Sequence, residues 1–322
     1  MGTVNMRVLI TGGMGYVGGR LALHLSVLGY NVFIGTRREI DPPKWLPSAE
    51  MRQINWHDPD SILRACEGVD AIVHAAGMNA HDCAAAPEAA LEFNGVATTR
   101  LVNAAIRSEV KKFLYLSTAH VYASLLAGEI TEDTCARNLH PYATSHLAGE
   151  HAVMLAAERQ DLKGFVVRLS NVIGPPVDPL ANCWMLLFND LCLQAVRHQH
   201  LSLSSDGTAQ RDFLPMKDVC STIEFVISSL DRDIRSQTIN LGSEQSISVL
   251  EAANKIVERC EAILGFSPII TRYSVTKYSP LPAKIIYRCE RIKAMGACLK
   301  KNMNEAIDSS LIFCDDNQEF IP

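Results

Sequence analysis

The chain has 322 residues, 48% of them hydrophobic, and a formal net charge of -5. This size allows one large domain or two smaller ones with real cores, and no apolar stretch reaches the length of a membrane span. The acidic balance and the absence of a basic run argue against nucleic acid or an anionic membrane surface as a partner.

The first predicted elements are a strand, a turn and a helix. Residues 7–11 form a short β-type run, followed at once by a glycine-rich turn and a leucine-rich helical stretch. This is the context that the dinucleotide fingerprint requires. Gly12 permits a tight turn, Gly15 lets the backbone approach a pyrophosphate at the helix N-terminus, and Gly18 allows close packing of helix on strand. The spacing therefore predicts a dinucleotide-binding turn.

The second predicted strand, Asn31 to Ile34, bears on the choice of cofactor. NAD-specific folds usually place Asp or Glu just after this strand, where it binds the adenosine ribose. Here Thr36 is followed by Arg37 and Arg38. Because Arg37 would attract a 2′-phosphate, these residues favour NADP, with NAD possible. The alternative is that both arginines are solvated loop charges.

Further strands predict the fold class. Residues 70–77 run from a strand into small residues, and Ala75 and Ala76 would let a cofactor lie close to the backbone. Two more strands are predicted, from Lys112 to Ser117 and from Phe165 to Leu169. The alternation with helices predicts an α/β fold with a Rossmann-type, doubly wound parallel sheet and ligands outside the carboxyl ends of its strands.

A hydroxyl and a phenol mark the candidate catalytic site. Thr118 ends an apolar strand, and Tyr142 opens an alanine-rich helical stretch that also carries His146. Residues four apart share one helix face, so Tyr142 and His146 should lie together. The combination suggests a phenol that transfers a proton beside a hydride-carrying cofactor. His74, in contrast, is expected to pack within the sheet.

These segments resemble the extended short-chain dehydrogenase/reductase family, and in particular its branch of nucleotide-sugar epimerases, dehydratases and reductases. The resemblance covers almost the whole chain. It is specific for the fold and the branch, but not for one reaction. Its markers are residues 11–18, 74–76, Asn94, 117–122, Tyr142, 168–175, 206–213, Asp218 and 240–242.

The resemblance implies roles for the matching residues. Tyr142 would be the general acid/base that moves a proton to or from a sugar oxygen, and Thr118 would hydrogen-bond the same oxygen. The implied cofactor contacts are Gly12, Gly15, Tyr16, Val17, Gly18, Thr36, Arg37, Asp58, Ala75, Ala76, Asn94, Tyr142 and His146.

Two further residues would bind a nucleotide-diphosphate sugar. The resemblance implies that Asn171 lies near the sugar diphosphate and Arg211 near the diphosphate or the nucleoside. A diphosphate needs such a cation, because its negative charges must be matched in a partly dry cleft. The alternative for Arg211 is a structural ion pair with Asp212 or Asp218.

His146 stands where the family has Lys. That Lys binds the nicotinamide ribose and lowers the pKa of the tyrosine by placing a cation nearby. With an ordinary pKa of about 6.5, only about a quarter of a His is charged at pH 7, although it could still donate a hydrogen bond to the ribose. Three interpretations follow: a working substitute with acid-shifted activity, a slow enzyme tuned partly by the oxidised nicotinamide, or binding without catalysis. The presence of Tyr142, Thr118 and the glycines favours catalysis.

The residues after Thr118 bear on the reaction. Dehydratases of this branch carry an Asp-Glu pair here, and this chain has Ala119 and His120. Dehydration by that route is therefore not expected. His120 would either face the substrate as an extra acid/base or be an ordinary residue at a strand end.

The second half predicts a smaller substrate-binding domain. The arginine-rich element near the family's end has no clean match, and Lys277, Lys284 and Arg288 are the candidates for it. The predicted division assigns residues 1–169 plus about 212–242 to the Rossmann domain, and about 170–211 plus 243–322 to a discontinuous α/β substrate-binding domain.

The leading hypothesis is an NAD(P)-dependent enzyme that acts on a nucleotide-activated sugar by hydride transfer at a sugar carbon. Thr36 and Arg37 favour reduction of a keto-sugar, whereas the general sequence pattern, including residues 211–213, favours epimerisation through a transient ketone. The alternatives are a reductase of a non-nucleotide carbonyl compound and a catalytically weakened nucleotide-binding protein.

Location, metal content and assembly complete the predictions. We expect a cytoplasmic protein, because no signal-peptide pattern is visible. The ten scattered cysteines are expected to be reduced, and no metal site is predicted. The resemblance implies a homodimer that pairs through helices at about 84–107 and 142–159.

Overall fold

The computed structural model describes residues 6–123, 126–229, 236–273 and 283–322. Lys277, one of the candidate cations, lies outside these residues. Over the described ranges, no helix is long and apolar enough to cross a membrane.

The strands and helices alternate through most of the chain. The strands are β1 (Arg7–Thr11), β2 (Asn31–Thr36), β3 (Glu50–Gln53), β4 (Ala71–His74), β5 (Lys112–Thr118), β6 (Gly128–Ile130), β7 (Lys163–Leu169), β8 (Asn171–Ile173), β9 (His200–Leu203), β10 (Gln210–Pro215), β11 (Gln237–Leu241), β12 (Ser246–Ser248), β13 (Ile269–Arg272) and β14 (Ile285–Tyr287). The helices are α1 (Tyr16–Val27), α2 (Pro59–Cys66), α3 (Ala80–Ala85), α4 (Pro87–Ala90), α5 (Thr98–Arg107), α6 (Pro141–Glu158), α7 (Leu187–His198), α8 (Met216–Ser229), α9 (Val249–Leu264), α10 (Glu290–Ala294) and α11 (Met303–Asn317). A π-helical segment, Leu91–Ala97, joins α4 to α5, and a 3-10 turn, Ala119–Val121, follows β5.

The large sheet has seven parallel strands in the order β3-β2-β1-β4-β5-β7-β11. The predicted α/β fold with a Rossmann-type parallel sheet is confirmed. The chain leaves β1 toward β2 on one side and returns to β4 on the other. This reversal opens a crevice at the carboxyl ends of β1 and β4, the place where open α/β sheets bind ligands.

Helices cover both faces of the large sheet, which explains why its central strands are apolar on both sides. On one face, Leu21 and Leu25 of α1 and Ile223 of α8 join a single core with the sheet. On the other, Ile62 of α2 and Leu101 of α5 belong to a second core. The sheet is therefore a rigid support for whatever its carboxyl edge presents.

A third core lies among helices of the second half. Phe188 of α7, Ile256 of α9 and Leu311 of α11 pack together there. Near this core β10 pairs with β8 and β12, whereas β11 returns to the large sheet beside β7. The exact division of the chain into two domains stays a prediction.

A buried ion pair ties α6 to the sheet. Arg168 of β7 donates through Nη2 to Oε2 of Glu150 at 2.6 Å, and the side chains are 10% and 2% exposed. Ser117 of β5 donates to Oε1 of the same carboxylate at 2.5 Å, and the guanidinium lies 4.8 Å from the ring centre of Tyr122. Because these contacts hold α6 against β5 and β7, they also fix the helix that carries Tyr142.

We predict that Arg168→Met lowers the free energy of unfolding by about 3–5 kcal/mol, because it leaves a buried carboxylate without its partner. The double variant Glu150→Gln plus Arg168→Met has no such unpaired charge and should recover most of the loss. Urea denaturation of the three proteins measures both effects. Equal stability of the single and double variants would contradict this account.

Candidate active site

The glycine-rich turn lies at the carboxyl end of β1, against the turn that follows β4. Gly12 has a φ of +71°, and a Cβ there would lie 2.8 Å from the backbone nitrogen of Ala76. A Cβ on Gly18 would lie 2.3 Å from the carbonyl oxygen of Gly12. α1 begins after Gly15 with no side-chain cap and no acidic residue in its first turn. Its first N–H groups are thus open to an anion, and the turn fits a pyrophosphate.

The first residues of α1 connect this turn to the second half of the chain. The hydroxyl of Tyr16 donates to the carbonyl of Gly174, which follows β8, at 2.7 Å. Val17 and Ala75 are half-buried beside it, and the nitrogen of Ala75 donates to the carbonyl of Thr11 at 3.1 Å. The predicted pyrophosphate contacts therefore lie together at one edge of the sheet.

The end of β2 carries no carboxylate. Thr36 is half-buried and Arg37 is exposed, with its guanidinium 5.9 Å from the ring centre of Phe93. Asp58 caps α2 by accepting a hydrogen bond from the nitrogen of Asp60 at 3.0 Å. The cofactor contacts of Thr36, Arg37 and Asp58 stay predictions.

Asn94 lies fully buried in the π-helical segment. Its Oδ1 accepts from the nitrogen of Met78 at 2.9 Å, and its Nδ2 donates to Oγ of Ser145 at 3.0 Å. The amide thereby holds the turn after β4 against α6. The structure gives Asn94 a positioning role, and its direct contact with a cofactor stays a prediction.

The phenol of Tyr142 and the hydroxyl of Thr118 meet where β5 ends and α6 begins. His140 caps α6 by accepting from the nitrogen of Tyr142 at 3.2 Å. Burial raises the pKa of Tyr142, and its hydrogen bond with Thr118 opposes that rise only in part. The phenol therefore keeps its proton at neutral pH.

His146 lies one turn further along α6. Its ring is T-shaped against the ring of Tyr142, with centres 4.6 Å apart, and its residue is 5% exposed. Its Nδ1 lies 2.8 Å from the hydroxyl of Tyr115, a buried residue of β5. Burial lowers the pKa of His146 to about 4, so the imidazole is neutral at pH 7.

His120 faces the same site. Its ring centre lies 6.4 Å from that of Tyr142, and burial followed by the nearby charge of Arg211 lowers its pKa. Ala119, by contrast, is buried. Whether His120 contacts a substrate stays a prediction.

Arg211 is a half-buried cation at this edge. Its Nη1 donates to the carbonyl of Gln210 at 2.8 Å, and over the described ranges no carboxylate pairs with it. Asp212 accepts instead from Ser243, and Asp218 accepts from backbone nitrogens at 300 and 301. The predicted alternative of an ion pair with either aspartate is therefore wrong.

Asn171 lies on β8, directly beside β10, which carries Arg211. It pairs in register with Phe213, and its Nδ2 donates to the carbonyl of Asp212 at 2.9 Å. Its carboxamide is half-buried. The contact of Asn171 with a substrate stays a prediction.

A model of the NAD dependent epimerase/dehydratase family matches residues 8–242. The chain belongs to this family. An uncharacterized UDP-glucose epimerase from Bacillus subtilis is 27% identical over an alignment of 283 residues, and the match covers 81% of this chain and 83% of the relative. Two solved structures have the same fold. UDP-glucose 4-epimerase from Thermus thermophilus, in complex with NAD, has a TM-score of 0.79 at 20% identity and covers 96% of this chain and 99% of its own. RMD from Pseudomonas aeruginosa, complexed with NADPH, has a TM-score of 0.78 at 20% identity, and the match covers 97% of this chain and 100% of the RMD chain.

Membership of the epimerase/dehydratase family confirms the resemblance drawn from the sequence, but the expected charge of His146 needs correction. The expectation that about a quarter of the His146 side chains are charged at pH 7 assumed an ordinary pKa. Burial instead keeps the ring neutral at pH 7. The contact with Tyr115 was missed, because an aromatic residue in the middle of an apolar strand has the pattern of a core residue. No local signal in the sequence indicates this contact.

The buried histidines predict that this member of the family loses stability in acid. His146 has a folded pKa of about 4 and His74 one of about 3, both below the ordinary 6.5. The unfolded chain therefore binds more protons below about pH 6.5, and the free energy of unfolding should fall as pH drops from about 6.5 to about 4.

In urea denaturation at a series of pH values, His146→Gln should show a smaller loss than the wild type. His151→Gln, which changes an exposed histidine of the same helix, serves as the control and should behave as the wild type. An unchanged pH dependence in His146→Gln would show that His146 is not buried in its neutral form.

Proposed function

We propose that the protein is an NAD(P)-dependent enzyme that reduces a keto-sugar carried on a nucleoside diphosphate. One arrangement carries the proposal: the phenol of Tyr142 lies near Thr118, at the edge of the sheet where the glycine-rich turn fits a dinucleotide, and burial raises its pKa so that it keeps its proton. A bound nicotinamide dinucleotide would supply the hydride. The chain itself must bind both molecules, hold the carbonyl and deliver a proton.

Each part of the site has a task in this reaction. The turn from Gly12 and the first N–H groups of α1 hold the pyrophosphate. Ala75 and Ala76 leave room for the dinucleotide beside the backbone. Tyr142 and Thr118 both hydrogen-bond the substrate carbonyl, and as hydride reaches the carbonyl carbon, the phenolic O–H bond breaks and its proton moves to the oxygen. Solvent then restores the proton on Tyr142.

The reductive direction follows from the electrostatics of Tyr142. Oxidising a sugar hydroxyl requires a phenolate, which a neighbouring cation would stabilise. His146 is neutral and burial raises the pKa of Tyr142, so the phenol is prepared to give a proton rather than to take one. The absence of a carboxylate at Thr36–Arg38 supports a preference for NADP, the finer part of the proposal, with NAD as the alternative.

Epimerisation through a transient ketone is the second candidate. It is favoured by relatives that are named as UDP-glucose epimerases. It would need the positive charge of an oxidised nicotinamide to lower the pKa of Tyr142. The two candidates separate in one assay, because a reductase consumes reduced cofactor in step with the keto-sugar, whereas an epimerase consumes none.

Arg211 supports a nucleotide-diphosphate substrate, because a half-buried cation with no carboxylate partner among the described residues fits an anionic ligand.

Assembly and location remain predictions. Leu91, Val96 and Leu155 are exposed on the helices that would form a homodimer. A cytoplasmic location has no further support.

We predict that Tyr142→Phe lowers the rate of carbonyl reduction at least on the order of a hundredfold, because the variant has no proton to transfer. Loss of reduced-nicotinamide absorbance measures the rate at saturating cofactor, and fluorescence titration measures any separate change in cofactor affinity. Tyr273→Phe, at an exposed tyrosine outside the site, is the control. A variant as fast as the wild type would exclude Tyr142 as the acid.

We further predict that one nucleoside diphosphate stabilises the wild type in a thermal-shift titration, and that Arg211→Gln weakens this binding by about 10- to 100-fold. Arg107→Gln, at an exposed arginine of α5, should bind as the wild type does. If no nucleoside diphosphate shifts the wild type, the substrate is a non-nucleotide carbonyl compound instead.

A further inference from the structure

A cluster of buried aromatic and histidine side chains lies behind the candidate active site. Tyr115 of β5 contacts Nδ1 of His146 at 2.8 Å on one side. On the other side its ring stacks on His74 of β4, with centres 5.4 Å apart. All three residues are at least nine-tenths buried. Their protons must therefore be shared among themselves and their immediate neighbours.

The proton positions around His74 follow from the donors and acceptors that contact its ring. Thr98 donates its only hydroxyl proton to the carbonyl of Asn94 at 2.7 Å. Nε2 of His74, 2.9 Å from Oγ1 of Thr98, must then carry a proton and donate it. Its Nδ1 accepts from the hydroxyl of Thr11 at 2.6 Å. Burial lowers the pKa of His74 to about 3, which agrees with this neutral form.

The same reasoning applies to Tyr115 and His146, which lie nearer to the candidate active site. Burial raises the pKa of Tyr115 well above its usual value, so the phenol keeps its proton. A phenol is a good donor and a weak acceptor, whereas an unprotonated imidazole nitrogen is a good acceptor. If the hydroxyl of Tyr115 donates to Nδ1 of His146 rather than to Thr98, the proton of the neutral imidazole resides on Nε2.

Nε2 of His146 points toward the turn after β4. A Cβ built on Gly77 would lie 3.6 Å from Cε1 and 3.7 Å from Nε2 of His146. This edge of the ring therefore lies against Gly77 in that turn. In the part of the chain that the structure describes, Nδ1 has a hydrogen-bond partner and Nε2 has none. The ring of Tyr142 lies against that of His146, and Ala75 and Ala76 precede Gly77 in the same turn.

We propose that Tyr115 is a positioning residue, whose hydroxyl fixes His146 as the neutral tautomer that offers Nε2–H to a hydroxyl oxygen of the bound dinucleotide. The inference rests on the proposed function for the identity of that ligand. Tyr115 would thus act through His146 without contacting the ligand itself. His146 would be a hydrogen-bond donor that needs no positive charge.

The tautomer can be read on the ligand-free protein. In a sample with 15N-labelled histidine, the ring nitrogens of His146 should report an unprotonated Nδ1 and a protonated Nε2, and Tyr115→Phe should abolish this preference. A proton on Nδ1 in the wild type would overturn the proposal. This measurement does not depend on any substrate or cofactor.

A double-mutant cycle tests the link to the ligand, with dissociation constants for NAD and NADP from fluorescence titration. Tyr115→Phe should weaken cofactor binding by roughly 2- to 10-fold in the wild-type background and by nothing further in a His146→Leu background. Tyr287→Phe, which removes another fully buried hydroxyl, should leave the affinity unchanged. Thermal melts identify any variant that fails to fold, and in that case the nitrogen spectrum of the wild type decides.

The failures are distinguishable. An equal effect of Tyr115→Phe in both backgrounds overturns the role of Tyr115 but leaves the proposed function intact. A wild type that binds no dinucleotide overturns the proposed function, and with it the ligand assigned to Nε2.

Discussion

The active site depends on one constraint, the burial of polar side chains on the inward face of α6. Ser145, His146 and Glu150 all lie on this face and are at most 5% exposed. A buried polar group without a partner is costly, so each must find one. The partners come from three different elements: Asn94 from the π-helical segment, Tyr115 from β5 and Arg168 from β7. Satisfying these three groups allows α6 a single position against the sheet, and Tyr142 is positioned with it.

The same burial determines the electrostatics of the site. Burial disfavours an imidazolium at His146 and a phenolate at Tyr142, so the imidazole is neutral and the phenol keeps its proton. The carboxylate of Glu150 is committed to Arg168 and Ser117, one turn away, and does not compensate a charge at position 146. Arg211, for which no carboxylate partner is present among the described residues, is the candidate cation for an anionic substrate. The candidate proton donor and the candidate anion site thus belong to different elements, α6 and β10.

The sequence predicts those features whose cause is local. The glycine-rich turn, the central strands and the pairing of Tyr142 with His146 on one helix face each follow from spacing within one segment. β8, β10 and β12 are short and form a sheet only with one another, so their residues carry no clear period of their own. The neutrality of His146 and its contact with Tyr115 depend on residues 31 positions apart. Such contacts exist only in the folded chain, and sequence patterns give them no separate signal.

The exchange of Lys for His at position 146 is consistent with this environment. A lysine there would bring a charge into a pocket whose nearest carboxylate is already neutralised, and an unpaired buried charge is strongly unfavourable. The imidazole avoids this cost, because Tyr115 satisfies one of its nitrogens and leaves the other as a donor. What the site loses is the cation that would lower the pKa of Tyr142. A cation there would stabilise the phenolate of Tyr142, which is the product of proton donation and the reactant of proton removal. The proposed carbonyl reduction starts from the protonated phenol, the form that this environment keeps, and the same burial explains how a histidine is tolerated at position 146.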